Sequence, residues 1–323
     1  MTHAVPFLDA EAIRAAVPIA DLLDEVEAAY RDVAAGRDRS PIRSRVPLGS
    51  GDLLLMPGVR EGGRGASVKL VTVMPENPDR GLPTIHAIVV WFDTETGRPV
   101  ALLDGETVTA MRTGAASGVA TRLLARSDAA TLAVIGAGAQ AEWQVRAVLA
   151  SRPIRRVLVY GRSSQRREAF AARMAEITGV DTEAVHTAEA AVREADVVCC
   201  ATTSSEPVFE AEWLRPGAHV NGIGAFRLGM IEMPPELFAR AGVVAVDSRS
   251  AAMEEAGDLV AAIEAGLVAE EDLVEIGSVD REWAGRRDAG MVTVFKSVGL
   301  AIQDVAAGEL IVGRLLEAEQ ARD

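Results

Sequence analysis

The fold class is decided by the stretch TLAVIGAGAQAEWQVRAVLAS, residues 131–151. It begins with an apolar run typical of a buried strand, passes through a glycine-rich turn and ends in a segment of helical composition. Gly136, Gly138 and Ala141 fit the pattern G-x-G-x-x-G/A, in which the first glycine permits the turn and the second lets the backbone approach a pyrophosphate. The N–H groups at the start of the helix then face the anion. The stretch therefore predicts a dinucleotide site.

Strand-like and helical segments alternate along the chain beyond this turn. Apolar and β-branched residues typical of strands fill RRVLVYGR, ADVVCCATTS, AHVNGIG and GVVAVDS, whereas SSQRREAFAARMAEITG is typical of a helix. Such alternation indicates βαβ units around a parallel sheet. We therefore predict an α/β protein with a Rossmann-type, doubly wound parallel sheet in this part of the chain.

The end of the second strand in this series distinguishes between the two nicotinamide dinucleotides. An NAD site usually has an Asp or Glu there, which binds the ribose 2′-hydroxyl. Here the strand is followed by Gly161, Arg162, Ser163 and Ser164, and an arginine with hydroxyl groups suits the 2′-phosphate of NADP. We expect NADP(H) to be preferred, with NAD(H) as the alternative, and Arg162 and Ser163 to bind it.

The first third of the sequence is organised differently. Residues 9–36 are typical of a helix, and DLLLMPGV, ASVKLVTVMP and IHAIVVWFD are typical of strands, the last joined through TETG to PVALLDG. A further helix, GETVTAMRTGAASGVATRLLAR, leads to the glycine turn. This pattern predicts an N-terminal α+β domain, and we expect the helical segment at residues 297–320 to pack back onto it.

Lys69 is the unusual residue of this region. The 33 basic residues of the chain include only two lysines, Lys69 and Lys296, and Lys69 lies inside an apolar, alternating strand. The pKa of a lysine, unlike that of an arginine, falls on burial, so a lysine can give up a proton near neutral pH. Lys296, in VFKSVG, is interpreted as a surface charge near the edge of the cofactor.

Composition and charge exclude some functions. The chain of 323 residues has 49% apolar residues and a net charge of −14, which argues against broad nucleic-acid binding. The N-terminal segment lacks the regions of a signal peptide and the apolar runs are too short to span a bilayer, so we expect a cytoplasmic protein without a membrane partner. The adjacent Cys199 and Cys200 predict two buried apolar side chains rather than a disulfide or a metal site.

Five segments carry a resemblance to a known family: residues 68–125, AVIGAGAQAEWQ, NGIGA, EEAGDL and VFKSVGLAIQD. In them the chain is similar to the ornithine cyclodeaminase/mu-crystallin family, whose members exchange a hydride at the α-carbon of an amino acid or its imine. The resemblance implies a homodimer. It also implies a substrate-binding and dimerisation domain at residues 1–115, completed by a C-terminal helix at 299–323, and a Rossmann NAD(P)-binding domain at 116–298.

The resemblance implies the site residues as well. Lys69, Arg45 and Arg112 are expected to hold the substrate carboxylate, with Arg43 on the same strand face as Arg45, and Lys69 is expected to be catalytic. Further substrate contacts are expected from Phe226, Val298 and Gly299. The expected cofactor-binding residues are Thr84, Arg112, Gly136, Gly138, Ala139, Gln140, Arg162, Ser163, Thr202, Ile223 and Gly224.

One segment departs from the pattern of the ornithine cyclodeaminases, which is NAxGGD-like and uses its aspartate to handle the amine. Phe226 stands at the aspartate position and Met230 at that of a nearby lysine. An apolar ring cannot accept a proton, so we favour NAD(P)H-dependent reduction of a 2-imino acid or cyclic ketimine of the pyrroline- or piperideine-2-carboxylate type. The alternatives are ornithine cyclodeamination or amino-acid dehydrogenation and, from another class, a non-catalytic binder of NADP and a small ligand.

Overall fold

A computed structural model describes residues 4–280 and 288–317 of the chain. The chain divides into two compact units, Met1–Arg112 with Leu300–Asp323, and Thr113–Gly299. The resemblance to the family places the domain boundaries after residues 115 and 298, and this assignment stays a prediction. Within the described ranges, none of the helices combines the length and the apolar character needed to cross a bilayer.

The secondary structure is as follows. The strands are β1 (Phe7–Leu8), β2 (Ser44–Leu48), β3 (Gly51–Val59), β4 (Gly65–Val73), β5 (Ile85–Asp93), β6 (Pro99–Asp104), β7 (Thr131–Ile135), β8 (Arg156–Tyr160), β9 (Asp181–Ala184), β10 (Val197–Cys200), β11 (His219–Gly222), β12 (Ala241–Val246), β13 (Val274–Glu275) and β14 (Val292–Lys296). The helices are α1 (Ala10–Ala16), α2 (Ile19–Ala34), α3 (Gly105–Leu124), α4 (Ala141–Ser151), α5 (Ser164–Thr178), α6 (Ala188–Glu194), α7 (Pro235–Arg240), α8 (Arg249–Glu255), α9 (Gly257–Glu264) and α10 (Ala301–Val312).

The first unit is built on a six-stranded sheet in the order β1-β6-β5-β4-β3-β2, antiparallel except for the β1–β6 pair. Helix α10 packs on β3 and β4, and α2 packs on α10. Two glycines allow this close approach. A Cβ on Gly308 of α10 would lie 2.4 Å from the ring of Trp91, and a Cβ on Gly58 of β3 would lie 3.0 Å from Val305. The backbone of α10 therefore runs close above the centre of the sheet.

The second unit contains an eight-stranded sheet in the order β13-β12-β14-β11-β10-β7-β8-β9, and every pair in it is parallel. The strand order reverses between β7 and β10, which is where such sheets bind dinucleotides at their carboxyl ends. The predicted Rossmann-type α/β fold is confirmed. Cys199 and Cys200 are fully buried in β10, as predicted.

The structure corrects three expectations about the elements. Residues 9–36 form two helices rather than one, because Pro18 lacks an N–H and disfavours a helical residue before it. The C-terminal helix begins at Ala301 and not before, since Gly299 has a positive φ of +83°; residues 318–323 of the expected helix lie outside the described part. Strand β14 was not predicted, and it lies between β11 and β12.

The close approach of α10 to the sheet gives a test of the packing. Gly308→Ala places a methyl group against the Trp91 ring, and we expect the free energy of unfolding to fall by about 2 kcal/mol, since overpacking outweighs the gain in helix propensity. The measurement is denaturant unfolding. The control is Gly229→Ala, whose added methyl would meet nothing within 4 Å and should change stability by less than about 0.5 kcal/mol. Equal effects of the two substitutions would contradict the account.

Candidate active site

Lys69 occupies the centre of the first sheet. Side chains along β4 alternate between buried and half-buried positions, and Lys69 falls on the buried face, where it is 1% exposed. Its Nζ donates to Oδ1 of Asp304 in α10 at 3.0 Å and lies 2.8 Å from Oδ2. Asp304 is itself fully buried. Because a buried ammonium is costly without a counter-ion, the strand and the helix supply the two halves of one ion pair.

Arg112 binds the same carboxylate from α3. Its Nε lies 3.2 Å from Oδ1 of Asp304, and its Nη1 donates to Oε1 of Gln303 at 2.7 Å. The Nε2 of Gln303 donates in turn to the hydroxyl of Tyr30. We call the five buried residues Tyr30, Lys69, Arg112, Gln303 and Asp304 the Lys69 cluster. The cluster brings two of the expected substrate-binding cations, Lys69 and Arg112, to one anion.

The surroundings of Lys69 lower the pKa of its ammonium from 10.5 to about 7. Burial is the main cause, because the charged form loses its hydration. The positive charges of Arg112 and Arg43 lower this pKa further, and the carboxylate of Asp304 opposes the shift. Lys69 can therefore hold or release a proton close to neutral pH, as a general acid or base requires.

Arg45 is placed differently from the expectation that it joins Lys69. Its side chain is 61% exposed and its Nε donates to Asp52 at 2.6 Å, across β2 and β3. Arg43 lies directly before β2, whose register on β3 begins with Ser44 opposite Leu55, next to the β3 partner of Lys69. The charge of Arg43 acts on the pKa of Lys69. Arg43 is therefore the arginine of this segment that faces the Lys69 cluster.

The glycine turn after β7 has the backbone that the motif requires. Gly136 has a φ of +111°, and a Cβ on it would lie 2.5 Å from the carbonyl oxygen of Ala201. Gly138 has neither a positive φ nor a close neighbour, because an added Cβ would meet nothing within 4 Å. Gly138 and Ala139 are exposed. Gln140 directly precedes α4. The open backbone at Gly138 and the helix N-terminus that follows it fit a pyrophosphate.

The ends of β10 and β11 are held together by the buried carboxylate of Glu232. It accepts hydrogen bonds from the backbone N–H groups of Thr202, Gly224 and Ala225. A Cβ on Gly224 would lie 2.1 Å from the carbonyl oxygen of Thr202, so only glycine fits between the two strand ends. Ile223, at the end of β11, is buried. Three expected cofactor-binding residues, Thr202, Ile223 and Gly224, thus lie together at the carboxyl edge of the sheet.

Lys296 is fully buried, so its interpretation as a surface charge is wrong. It ends the unpredicted strand β14, in the interior of the sheet. Its Nζ donates to the carbonyl oxygen of Ala225 at 2.7 Å and lies 3.2 Å from Oδ1 of Asp258. Burial raises the pKa of Glu232, and the charge of Lys296 opposes that rise. The second lysine of the chain is thus a counter-ion for two buried carboxylates.

A third buried carboxylate, that of Asp247, holds the segment that follows β14. It accepts hydrogen bonds from the Ser297 hydroxyl at 2.8 Å and from the N–H groups of Val298 and Gly299 at 2.9 and 2.7 Å. Burial raises the pKa of Asp247, and these bonds oppose the rise. The N–H groups of the expected substrate residues Val298 and Gly299 are therefore bound to Asp247.

The remaining expected residues are half-buried or exposed. Arg162 is exposed directly after β8, and Ser163 caps the start of α5 by accepting a backbone N–H on its Oγ. Thr84 is half-buried just before β5. Phe226 is half-buried, with the guanidinium of Arg227 5.2 Å from the centre of its ring.

Sequence reasoning missed the carboxylates that hold these residues in place. Asp304 and its neighbour Gln303 end the segment VFKSVGLAIQD, and the resemblance implies no role for them. A signal was present, because Asp304 stands among apolar residues of a helix, and such a residue needs a buried partner. Glu232 and Asp247 have no comparable signal, since their partners are backbone groups distant in the sequence.

The sequence matches the profile of the Ornithine cyclodeaminase/mu-crystallin family over residues 5–319. The chain belongs to this family. A relative is a Delta(1)-pyrroline-2-carboxylate reductase of Bacillus cereus, 41% identical over 293 residues that cover 90% of each chain. The resemblance noted in the sequence is therefore confirmed.

Two solved structures of this family are similar over nearly the whole chain. The Thermococcus litoralis Delta(1)-pyrroline-2-carboxylate reductase in complex with NADH and L-proline has a TM-score of 0.92 and 33% identity, covering 98% of both chains. An archaeal alanine dehydrogenase dimer with bound NAD has a TM-score of 0.88 and 32% identity, covering 98% of this chain and 97% of that one. The family fold therefore includes both units.

The two glycines of the turn in this family member should respond differently to substitution. Gly136→Ala introduces a strained φ and a clash with a carbonyl, so we expect a loss of about 1–3 kcal/mol in the free energy of unfolding. Gly138→Ala should leave that free energy unchanged but weaken NADPH binding by about tenfold or more, the effect of one lost hydrogen bond to a charged group. Unfolding and fluorescence titration measure the two effects. Unchanged NADPH binding by the Gly138→Ala variant would contradict the assignment.

Proposed function

We propose that the chain is an NAD(P)H-dependent reductase of cyclic 2-imino acids such as Δ1-pyrroline-2-carboxylate. The observation that carries the proposal is a buried lysine whose pKa lies at about 7, next to a buried arginine. In this proposal Met1–Arg112 with the C-terminal helix binds the substrate, and Thr113–Gly299 binds the dinucleotide. The similarity to two Delta(1)-pyrroline-2-carboxylate reductases supports the same reaction.

Each group of the Lys69 cluster has a defined task in such a reduction. The planar guanidinium of Arg112 suits the substrate carboxylate, because it can donate two parallel hydrogen bonds. A nicotinamide, when bound, would supply the hydride for the C=N carbon. The imine nitrogen then requires one proton, and the ammonium of Lys69 can supply it, since its pKa allows transfer at neutral pH. Asp304 holds Lys69 and Arg112 in place.

Phe226 favours reduction of a ready-made imine over reactions that release ammonia. Ammonia release needs a group that accepts a proton from the amine, and Phe226 with Arg227 beside it offers an apolar ring and a permanent cation.

The test of the proposed reduction is a panel of substrates with NADPH and NADH. We expect rapid oxidation of the cofactor with Δ1-pyrroline-2-carboxylate and Δ1-piperideine-2-carboxylate. With L-ornithine as the substrate we expect no formation of proline. Cofactor and ligand binding without turnover would instead indicate a non-catalytic binder.

Replacement of Lys69 by arginine tests its role as a proton donor. Lys69→Arg keeps the positive charge but removes a group that titrates near neutral pH, so we expect kcat for imine reduction to fall about 100- to 10,000-fold, with a smaller change in KM. Lys69→Ala should damage both constants because the anchor is lost as well. In the wild type the rate of reduction should fall as the pH rises through about 7, because Lys69 loses its proton. Wild-type kcat in the Lys69→Arg variant would contradict the proposal.

We propose that the chain prefers NADP(H), although the two similar structures described above carry NADH or NAD. The support is local: no carboxylate follows β8 at residues 161–164, where Arg162 and Ser163 stand instead. We expect Arg162→Ala to weaken NADPH binding by about tenfold or more, the loss of one charged hydrogen bond, and to leave NADH binding nearly unchanged. The control is Arg193→Ala, an exposed arginine on α6. Equal losses for the two cofactors would refute the preference.

We propose a homodimer that pairs the outer faces of the first sheet. The inner face packs on α10, whereas the outer face carries half-buried apolar side chains, namely Leu53, Leu55, Val68, Leu70, Ile88 and Val90. At the sheet edge, Val46 and Leu48 of β2 are 48% and 46% exposed. An apolar patch of this kind marks an interface, and the alanine dehydrogenase of similar fold is a dimer.

A charge placed in the centre of the outer face tests the dimer. We expect light scattering to give twice the mass of one chain for the wild type, and the mass of one chain for Leu70→Glu, because an unpaired carboxylate would be buried in the interface. The control is Ile177→Glu, which places the same charge at a 44% exposed residue of α5. A wild-type monomer at micromolar concentration would refute the proposal.

A further inference from the structure

Asp304 faces two cations at once in the interior of the first unit. Its carboxylate lies 2.8 and 3.0 Å from the Nζ of Lys69 and 3.2 Å from the Nε of Arg112. Arg43 adds a third positive charge that acts on Lys69. One buried anion therefore serves more than one cation, and the excess positive charge suits a substrate that brings its own carboxylate.

We propose that Asp304 is a positioning residue for the reduction proposed above: its single carboxylate favours the protonated form of Lys69 before a substrate arrives and fixes the direction of the Arg112 guanidinium. The inference rests on the proposed function, and it concerns a residue that never needs to touch the substrate. Asp304 acts through Lys69 and Arg112.

The charges around Lys69 explain why Asp304 is needed. Asp304 faces the ammonium from α10, Arg112 faces it from α3, and Arg43 faces it from just before β2. On the neighbouring strands, the partners of Lys69 are Met56 and Val89, which carry no charge. Of these groups only Asp304 favours the protonated amine, since burial and both arginines favour the neutral form. Without it the equilibrium of Lys69 would move towards the neutral amine.

The orientation of Arg112 depends on the same residue and its neighbour. Gln303 accepts a hydrogen bond from Nη1 of Arg112 and is itself bound to Tyr30, while Asp304 takes the Nε side. Consecutive residues of α10 thus hold two different edges of one guanidinium. The Nη2 side is the part of the fork that these two contacts do not use, and a substrate carboxylate can approach it.

The test uses the unusual composition of the chain. Lys69 and Lys296 are the only two lysines, so a protein labelled with 13C-lysine gives two side-chain Cε signals by NMR, and Lys69→Arg identifies which belongs to Lys69. We expect the Lys69 signal of the full-length wild type to titrate near pH 7. In Asp304→Asn its midpoint should move to lower pH by about one to three units, because an opposite charge at this distance is removed. An unchanged midpoint would overturn the proposal.

The chain offers a matched control. Asp32 is a buried carboxylate of the same unit that also joins two arginines, Arg37 and Arg60. Asp32→Asn makes the same chemical change, and we expect the Lys69 midpoint to stay within about half a pH unit of the wild type. An equal shift in both variants would mean that general loosening of the unit, and not the charge of Asp304, moves the titration.

The NMR titration needs neither substrate nor cofactor, so it separates this inference from the proposed function. If no imine is reduced but the NMR midpoint of Lys69 shifts in Asp304→Asn, the proposed function is wrong, whereas the effect of Asp304 on the protonation of Lys69 is confirmed. If imines are reduced, the pH at which kcat/KM falls should shift in Asp304→Asn by as much as the NMR midpoint of Lys69. An unshifted pH profile of kcat/KM would overturn the role of Asp304 in catalysis.

Should Asp304→Asn not fold, Asp304→Glu keeps the charge but displaces it. We expect this variant to have the wild-type midpoint and a KM raised about tenfold, and an unchanged KM would overturn the positioning role.

Discussion

The ion pair between Lys69 and Asp304 is the interaction on which the proposed chemistry depends. Burial of the ammonium favours its neutral form, and burial of either charge without its partner would be costly. Their contact at 2.8 Å requires α10 to run close to β4, which is why glycine stands at residue 308. Together with Arg112, the ion pair carries a net positive charge. The carboxylate of an imino acid can balance this charge.

Much of the fold could be predicted because its signals are local. The turn at Gly136 and Gly138, the alternating pattern of β4 and the βαβ alternation each follow from a short stretch of sequence. The lysine that breaks this alternating pattern also pointed to the site. The resemblance to the family, and not the pattern itself, implied that Lys69 acts together with Arg112, and both side chains are buried against Asp304.

The rest could not be predicted because it depends on contacts between distant segments. Strand β14 lies between β11 and β12, although it follows both in the chain, and missing it placed Lys296 at the surface instead of beside Asp258. Arg43 lies just before β2 and Arg45 lies within it, and only the placement of this segment against β3 and Lys69 separates their roles. Glu232 binds backbone groups of two other strand ends, a function that leaves no pattern in the sequence.

A crystal structure of the full chain with L-proline bound would test the central claim most directly. The quantities to measure are the distances from Nζ of Lys69 to the proline nitrogen and from the Arg112 guanidinium to the carboxylate. The account predicts both within hydrogen-bonding range, about 2.7–3.2 Å, with Asp304 still in contact with Lys69. A proline carboxylate bound away from Arg112, with Lys69 in contact with Asp304 alone, would contradict it.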